Sequence, residues 1–210
     1  MMCLGFATQV QAEDTDLTTL DNVIYVAPQT VAQGTTEVTL SLQMKNTAEI
    51  RGFQFDMYLP EGITAKKNAK GKIQGIAFNS DRLPEDDEHT ITVSAQADGA
   101  IRFLIGSMYD ETFTGNEGEL MTMLVIVDAN IAEGEYPITL KTMKLSETDI
   151  SKFYEHAEIT TTLTVSSTTG IKNIDSNAGN GSVYDLQGRK IVNTSKKGLY
   201  IKNGKKEIVR

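Results

Sequence analysis

The chain has 210 residues, a length that allows one domain of ordinary size plus a small appendage. Hydrophobic residues make up 40% and charged residues 23%, which argues against wholesale disorder and against a membrane-embedded protein. The formal net charge is −8, and an acidic protein repels phosphate backbones, so nucleic acid is a poor partner.

The first twelve residues have the character of an export signal. The apolar stretch Met1–Ala7 is followed by small residues at Val10 and Ala12, which suit signal peptidase, and then by acidic residues. We therefore expect residues 1–12 to be a truncated signal peptide. A lipoprotein anchored through Cys3 is the second interpretation. Cleavage after Ala12 leaves no cysteine, so disulfides and thiol catalysis are not expected.

Apolar and polar residues then alternate in short segments, with the period of half-buried β-strands. Glycine-containing turns separate these segments at the spacing of an antiparallel sandwich or jelly roll. We predict an all-β domain of about nine strands over residues 20–166. In chain order the predicted strands are Val23–Val26, Val38–Met44, Phe53–Leu59, Ile63–Lys66, Ile91–Ala95, Ile101–Ile105, Leu120–Val127, Tyr136–Leu140 and Ile159–Val165.

The loop of residues 79–88 is rich in oxygen ligands of the kind that a hard cation prefers. Asn79, Asp81, Asp86 and Asp87 are the candidate ligands for Ca²⁺, although the loop lacks the spacing of an EF-hand. A hydrated acidic loop that binds no ion is the alternative, and the more common one.

Sugar-binding faces present flat aromatic rings, on which the apolar face of a pyranose stacks. The chain has no Trp. Tyr109, Phe113 and Tyr154 lie beside polar loops and are the candidate ligand-binding aromatics. The alternative is that these rings cover the ends of the sandwich.

Catalytic residues are scarce in this sequence. His89 and His156 are the two histidines, and neither lies at a spacing typical of a nucleophile or a metal site. We expect His89 to be a solvated loop residue after its acidic neighbours, and we expect no enzymatic activity.

The run Met121–Val127 is nearly all apolar and predicts a central strand that is buried on both faces. No segment after residue 12 approaches the roughly 20 apolar residues that a membrane helix needs. We therefore expect the mature chain to have no transmembrane segment.

Residues 167–182 are dominated by Ser, Thr, Asn and Gly and are predicted to be a linker. Residues 183–210 carry eight Lys and Arg against two acidic residues, so this tail has a charge of +6 and the preceding 182 residues have −14. An Asn203-Gly204 pair between Leu199–Ile201 and Ile208-Val209 predicts a β-hairpin in the tail.

Several segments resemble cohesins and their relatives: residues 50–63, 100–106, 118–128 and 134–140, the last of these with a Gly-x-Tyr start. The resemblance covers about residues 20–166. It implies a nine-stranded jelly-roll sandwich, a fold shared with several carbohydrate-binding modules, and therefore implies binding more than any one ligand.

The tail resembles the C-terminal sorting segments of secreted Bacteroidetes proteins. The resemblance lies in Val183–Lys190, in Lys197–Ile201 and in the basic ending. It implies export by the type IX route and location in the medium or at the outer-membrane surface. The alternative is a hairpin that only stabilises the fold.

The sequence therefore predicts a secreted or surface-displayed, non-catalytic binding or adhesion module that recognises a protein partner through a sheet face or a loop end. One alternative is a carbohydrate-binding module of a polysaccharide-handling system, with an extracellular glycan as ligand. A structural spacer in a larger surface assembly is the third interpretation.

Overall fold

The computed structural model describes residues 14–149 and 151–167, together with the backbone of four short strands within residues 183–209. The predicted signal peptide, residues 1–12, lies outside the described residues, as does the predicted linker apart from Ser167. Contacts between Cα atoms divide the chain into two units between Ser167 and Thr168.

The first unit is built from eleven strands and two 3₁₀ turns, Leu17–Thr19 and Ser80–Arg82. All nine predicted strands are present, which confirms the all-β fold class. The helical turns of the described residues are far too short to cross a bilayer. The strands are β1 (Val23–Val26), β2 (Gln29–Ala32), β3 (Glu37–Lys45), β4 (Ile50–Tyr58), β5 (Ile63–Ala65), β6 (Ile76–Phe78), β7 (His89–Ala95), β8 (Ile101–Ser107), β9 (Glu119–Val127), β10 (Gly134–Glu147) and β11 (Phe153–Ser166).

These strands form a two-layer sandwich. The five-stranded sheet has the order β1-β3-β9-β5, with β6 also paired to β9, and the six-stranded sheet has the order β2-β11-β10-β4-β8-β7. Neighbouring strands run antiparallel as predicted, except that β2 runs parallel to β11. β2 and β6, of four and three residues, were not predicted.

Both sheets contribute alternate side chains to one core. On β3 the buried residues are the alternate apolar ones from Val38 to Met44, and on β4 they include Phe53, Phe55 and Met57. The ring centroids of Phe55 and Phe103 on β8 lie 4.7 Å apart in a stacked arrangement. Burial of each such side chain contributes about 1.5–3 kcal/mol.

β9 is central in its sheet, as predicted, but it is not buried on both faces. Met121, Met123 and Val125 are fully buried, whereas Leu124 and Ile126 on the opposite face are only half-buried. The physical reason is that a two-layer sandwich gives each sheet a single layer to pack against. The expectation of burial on both faces is therefore wrong for this strand.

The second unit is described by its backbone alone and contains β12 (Val183–Tyr184), β13 (Lys190–Ile191), β14 (Gly198–Lys202) and β15 (Lys205–Val209). They form an antiparallel sheet of order β13-β12-β14-β15. Lys202 pairs with Lys205, so Asn203-Gly204 connects β14 to β15. The predicted hairpin is confirmed.

Candidate functional site

The six-stranded sheet turns one face to the core and the other, its outer face, away from it. Because side chains alternate along a strand, the residues between the buried phenylalanines of β4 point outward. On the outer face the register of β4 and β8 places Gly52 opposite Gly106, Gln54 opposite Leu104, and Asp56 opposite Arg102. This outer face is the candidate binding surface.

Toward one end, the outer face exposes large apolar side chains between charged ones. Leu104 is 53% exposed although it lies in the middle of β8, and Phe153 of β11 is 45% exposed. Phe153 lies in the same cross-strand row as Gly52, with one β10 residue between them. Met108 and Tyr109 follow β8 directly and are also exposed. Several large apolar side chains that are exposed on one sheet face and in the turn after it support this face as the candidate binding surface.

A pair of glycines keeps this end flat. A Cβ atom on Gly52 would lie 2.7 Å from the carbonyl oxygen of Ile105, closer than atoms can approach, so the strands fit together only with glycine there. Gly106 opposite it has no such restriction, since its nearest atom would be 4.0 Å away. The backbone of β4 and β8 is therefore free of side chains at this point of the outer face.

The other end of the outer face is polar and rigidly held. Asp56 is buried, and its carboxylate accepts two hydrogen bonds of 2.7 Å from the Arg102 guanidinium and one of 3.2 Å from the Thr142 hydroxyl. These bonds, chiefly those from Arg102, lower the pKa of Asp56. Tyr58 donates a 2.9 Å bond to Asp98, which lowers the pKa of that carboxyl. Such fixed charges set the orientation of a partner.

Thr142 occupies a backbone conformation that is rare for its residue type. Its φ is 51°, in the left-handed region, at a point where the register of β10 and β4 shifts between Lys141 and Lys144. A bulge of this kind redirects side chains. Here it brings the Thr142 hydroxyl to Asp56.

The three candidate aromatics have different environments. Tyr109 is 71% exposed and available to a ligand. Phe113 is 4% exposed and packs against Phe53 and Phe78 in the core, so its interpretation as a sugar platform is wrong. Tyr154 packs against the core and donates a 2.6 Å hydrogen bond to Glu147, which raises the pKa of the phenol.

The candidate calcium ligands do not share one environment. The Asn79 side chain caps the second 3₁₀ turn, where its oxygen accepts a hydrogen bond from the amide of Asp81 and its nitrogen donates to the Glu119 carbonyl. Asp81 and Asp86 are exposed. Among the described residues, Asp87 instead lies with His89 and Glu111, in a group of side chains whose ligand atoms are within 4.8 Å of one another. Calcium binding stays a prediction.

His89 is not the solvated residue that we expected, because its side chain is fully buried. The ring stacks on Phe113 with 4.2 Å between centroids. Its Nδ1 lies 2.6 Å from an oxygen of Asp87, and its Nε2 lies 3.1 Å from the Arg51 carbonyl. The acidic neighbours suggested solvent, but His89 begins β7, and strand alternation turns its ring inward.

Arg82 is a further residue that sequence reasoning missed. It lies within the acidic loop but is 4% exposed. Its guanidinium donates to the carbonyls of Thr114, Met44, Gly118 and Gly115 and to the Asn46 side chain. Burial lowers its pKa. No sequence signal distinguishes such an arginine from an exposed one.

Comparison with known proteins gives a fold but no family. No family model and no curated protein matches the chain. A chain of the crystal structure of the CaDoc0917–CaCohA2 complex matches with a TM-score of 0.55 at 16% identity, covering 68% of this chain and 98% of that one. A chain of a type I cohesin–dockerin complex from Clostridium thermocellum gives 0.52 at 12%, covering 68% and 97%. A non-cellulosomal cohesin from Archaeoglobus fulgidus gives 0.51 at 14%, covering 70% and 93%.

The sheet order and the single shared core define the first unit as a two-layer, all-β sandwich. Within that class it is a cohesin-like sandwich, as the resemblance of residues 50–63 and the later segments predicted.

Proposed function

We propose that this chain is a non-catalytic protein-binding module and that the outer face of the six-stranded sheet contacts the partner. One observation carries the proposal: Leu104 and Phe153 are exposed at one end of a rigid sheet face whose other end holds the fixed Asp56–Arg102 ion pair. Two of the similar structures are themselves complexes of a cohesin with a dockerin. A dockerin-like domain is therefore the first class of partner to test.

The same face favours protein over carbohydrate as the ligand. Leu104 and Met108 are aliphatic, and such side chains offer no flat ring for a sugar to stack on. Phe153 has one, but the Lys144 ammonium lies over it, 3.5 Å from the ring centroid. Tyr109 is the exposed ring that supports a carbohydrate-binding module as the second candidate.

The proposed location is extracellular or at the outer-membrane surface. It is supported by the signal-like character of residues 1–12 and by the resemblance of residues 183–210 to type IX sorting segments. Export of a chain that ends at Ser167 tests the role of residues 183–210.

The test of the binding face is Leu104→Arg, with Thr39→Arg as the matched control. Thr39 is exposed on β3, on the outer face of the opposite sheet, so both changes add a charge to an exposed strand residue. The partner is recovered from the growth medium of the producing organism, identified by mass spectrometry, purified, and titrated by calorimetry. We expect Leu104→Arg to weaken binding about 30-fold, as for a hot spot, and Thr39→Arg to leave it unchanged.

If the two variants change the affinity equally, or if Leu104→Arg leaves it unchanged, the outer face does not contact the partner. If the medium yields no protein partner while a glycan array is positive, the carbohydrate-binding module becomes the proposed function.

A further inference from the structure

β7 is an unusually exposed sheet edge. It ends the six-stranded sheet, and β8 is its strand partner within the described part of the chain. Natural edge strands are shielded by charges, proline, bulges or short length. Residues 90–95 contain no charge and no proline, and β7 has seven residues. The other strands that end the two sheets have three or four residues each: β1, β2, β5 and β6.

A groove of about 760 Å³ lies beside this edge, between residues 71–76 and residues 91–95. Ile91 is 41% exposed in it, although it pairs with buried Ile105 and therefore points to the same side of the sheet. Ile73, Ile76 and Val93 also line the groove and are only partly buried. The groove thus offers apolar positions next to a row of backbone groups that have no strand partner among the residues that the structure describes.

The segment that leads into the groove, residues 66–72, is rich in lysine although the chain is acidic. Lys67, Lys70 and Lys72 are exposed, and none of them forms an ion pair with the described residues, whereas Lys66 pairs with Glu37 at 2.8 Å. Lys72 lines the groove itself. Unpaired lysines attract an acidic ligand through charge complementarity.

We propose that β7 accepts an extended acidic peptide segment of a partner as an additional strand. The backbone of the segment pairs with the free edge of β7. Alternate side chains of a strand point to the same face, so every second side chain of the segment points to the groove. The apolar ones contact Ile91, and the carboxylates face Lys72, with Lys70 two residues away. Strand addition is an established mode of peptide recognition, in which backbone bonds give affinity and alternate side chains give specificity. This site is distinct from the outer face, because edge hydrogen bonds lie in the plane of the sheet.

The test uses a fluorescent nine-residue peptide in which Thr occupies every second position and Val and Glu take turns at the positions between, so that Val and Glu lie on the same face of the strand. Binding is followed by anisotropy. We expect binding that weakens with added salt, a loss of about tenfold or more with the corresponding Val and Lys peptide, and loss of binding when alternate amides are N-methylated. Residues 90–95 should gain protection from hydrogen exchange when the peptide is bound.

Variants of the protein locate the site. Lys70→Gln with Lys72→Gln should weaken binding several-fold, whereas the matched pair Lys45→Gln with Lys152→Gln, on other surfaces, should not. Leu104→Arg should leave peptide affinity unchanged, which separates this site from the proposed function. Equal affinity for the N-methylated peptide, an absence of new protection in β7, or no binding at millimolar peptide would overturn the proposal.

Discussion

At the scale of a single residue, Arg82 shows that a charged side chain in an acidic loop can be buried and can stabilise the fold. The guanidinium connects the second 3₁₀ turn to the end of β3 and to the loop before β9 through five side-chain donor contacts. All of its acceptors are uncharged, so the fixed planar arrangement of the N–H donors matters more here than the charge of the guanidinium. The neighbouring acidic residues remain at the surface.

We predict that Arg82→Ala lowers the free energy of unfolding by about 3 kcal/mol, because buried carbonyl groups lose their donors. Arg82→Lys should recover only part of this, since an ammonium cannot span the same acceptors. Urea unfolding followed by circular dichroism measures both. As a control, Asp81→Ala changes an exposed residue of the same turn and should be nearly neutral. A loss below 1 kcal/mol in Arg82→Ala would contradict this structural role.

Phe113 and His89 show why candidate residues were misassigned from sequence. Each follows a polar segment, and polar neighbours indicated a surface position. In the structure the two rings stack on each other, and the amide of Phe113 donates a 2.9 Å hydrogen bond to the Ile50 carbonyl. Burial here depends on a contact between segments 24 residues apart, which local polarity does not report.

At the scale of elements, the pairing of β4 with β8 is the feature that forms both the core and the outer face. Its register is set by the alternating phenylalanines, because a slip by one residue would expose them. The alternation was visible in the sequence, and both strands were predicted. Which β4 residue meets which β8 residue was not visible, because it depends on the pairing between strands.

Two glycine substitutions test this pairing. Gly52→Ala places a Cβ atom 2.7 Å from the Ile105 carbonyl oxygen, so β4 and β8 must separate, and we expect a loss of about 2 kcal/mol. Gly106→Ala, directly opposite, has its nearest atom at 4.0 Å and should be close to neutral. The melting temperatures of both variants measure this difference in stability. Similar melting temperatures for the two would show that the contact at Gly52 relaxes without consequence.

On the scale of the whole molecule, the sandwich has one core of its own. Among the residues whose side chains the structure describes, every buried residue of the core cluster lies between Val23 and Val165. A variant that ends at Ser167 should therefore unfold cooperatively, with a free energy of unfolding within about 0.5 kcal/mol of the sandwich transition in the full chain. Calorimetry measures this, and a larger loss would show that the tail stabilises the sandwich.

The same truncation tests the sorting proposal when it is expressed in the producing organism. We expect the variant to fold but to be retained inside the outer membrane, while the full chain reaches the surface or the medium. Normal export of the truncated chain would contradict a sorting role for residues 183–210. Calorimetry of the purified variant separates failed export from failed folding.

The sequence by itself determined the fold class, nine of the eleven strands and the tail hairpin, because alternation and Asn-Gly turns are local properties. Only the tertiary structure decided which apolar residues stay exposed. The Leu104 side chain points outward because side chains alternate along β8 and the neighbouring Phe103 points into the core. Ile91 is exposed because β7 is an edge strand. Arg82 is buried because distant segments supply its acceptors. Exposure depends on contacts between segments far apart in the chain, so local patterns do not contain it.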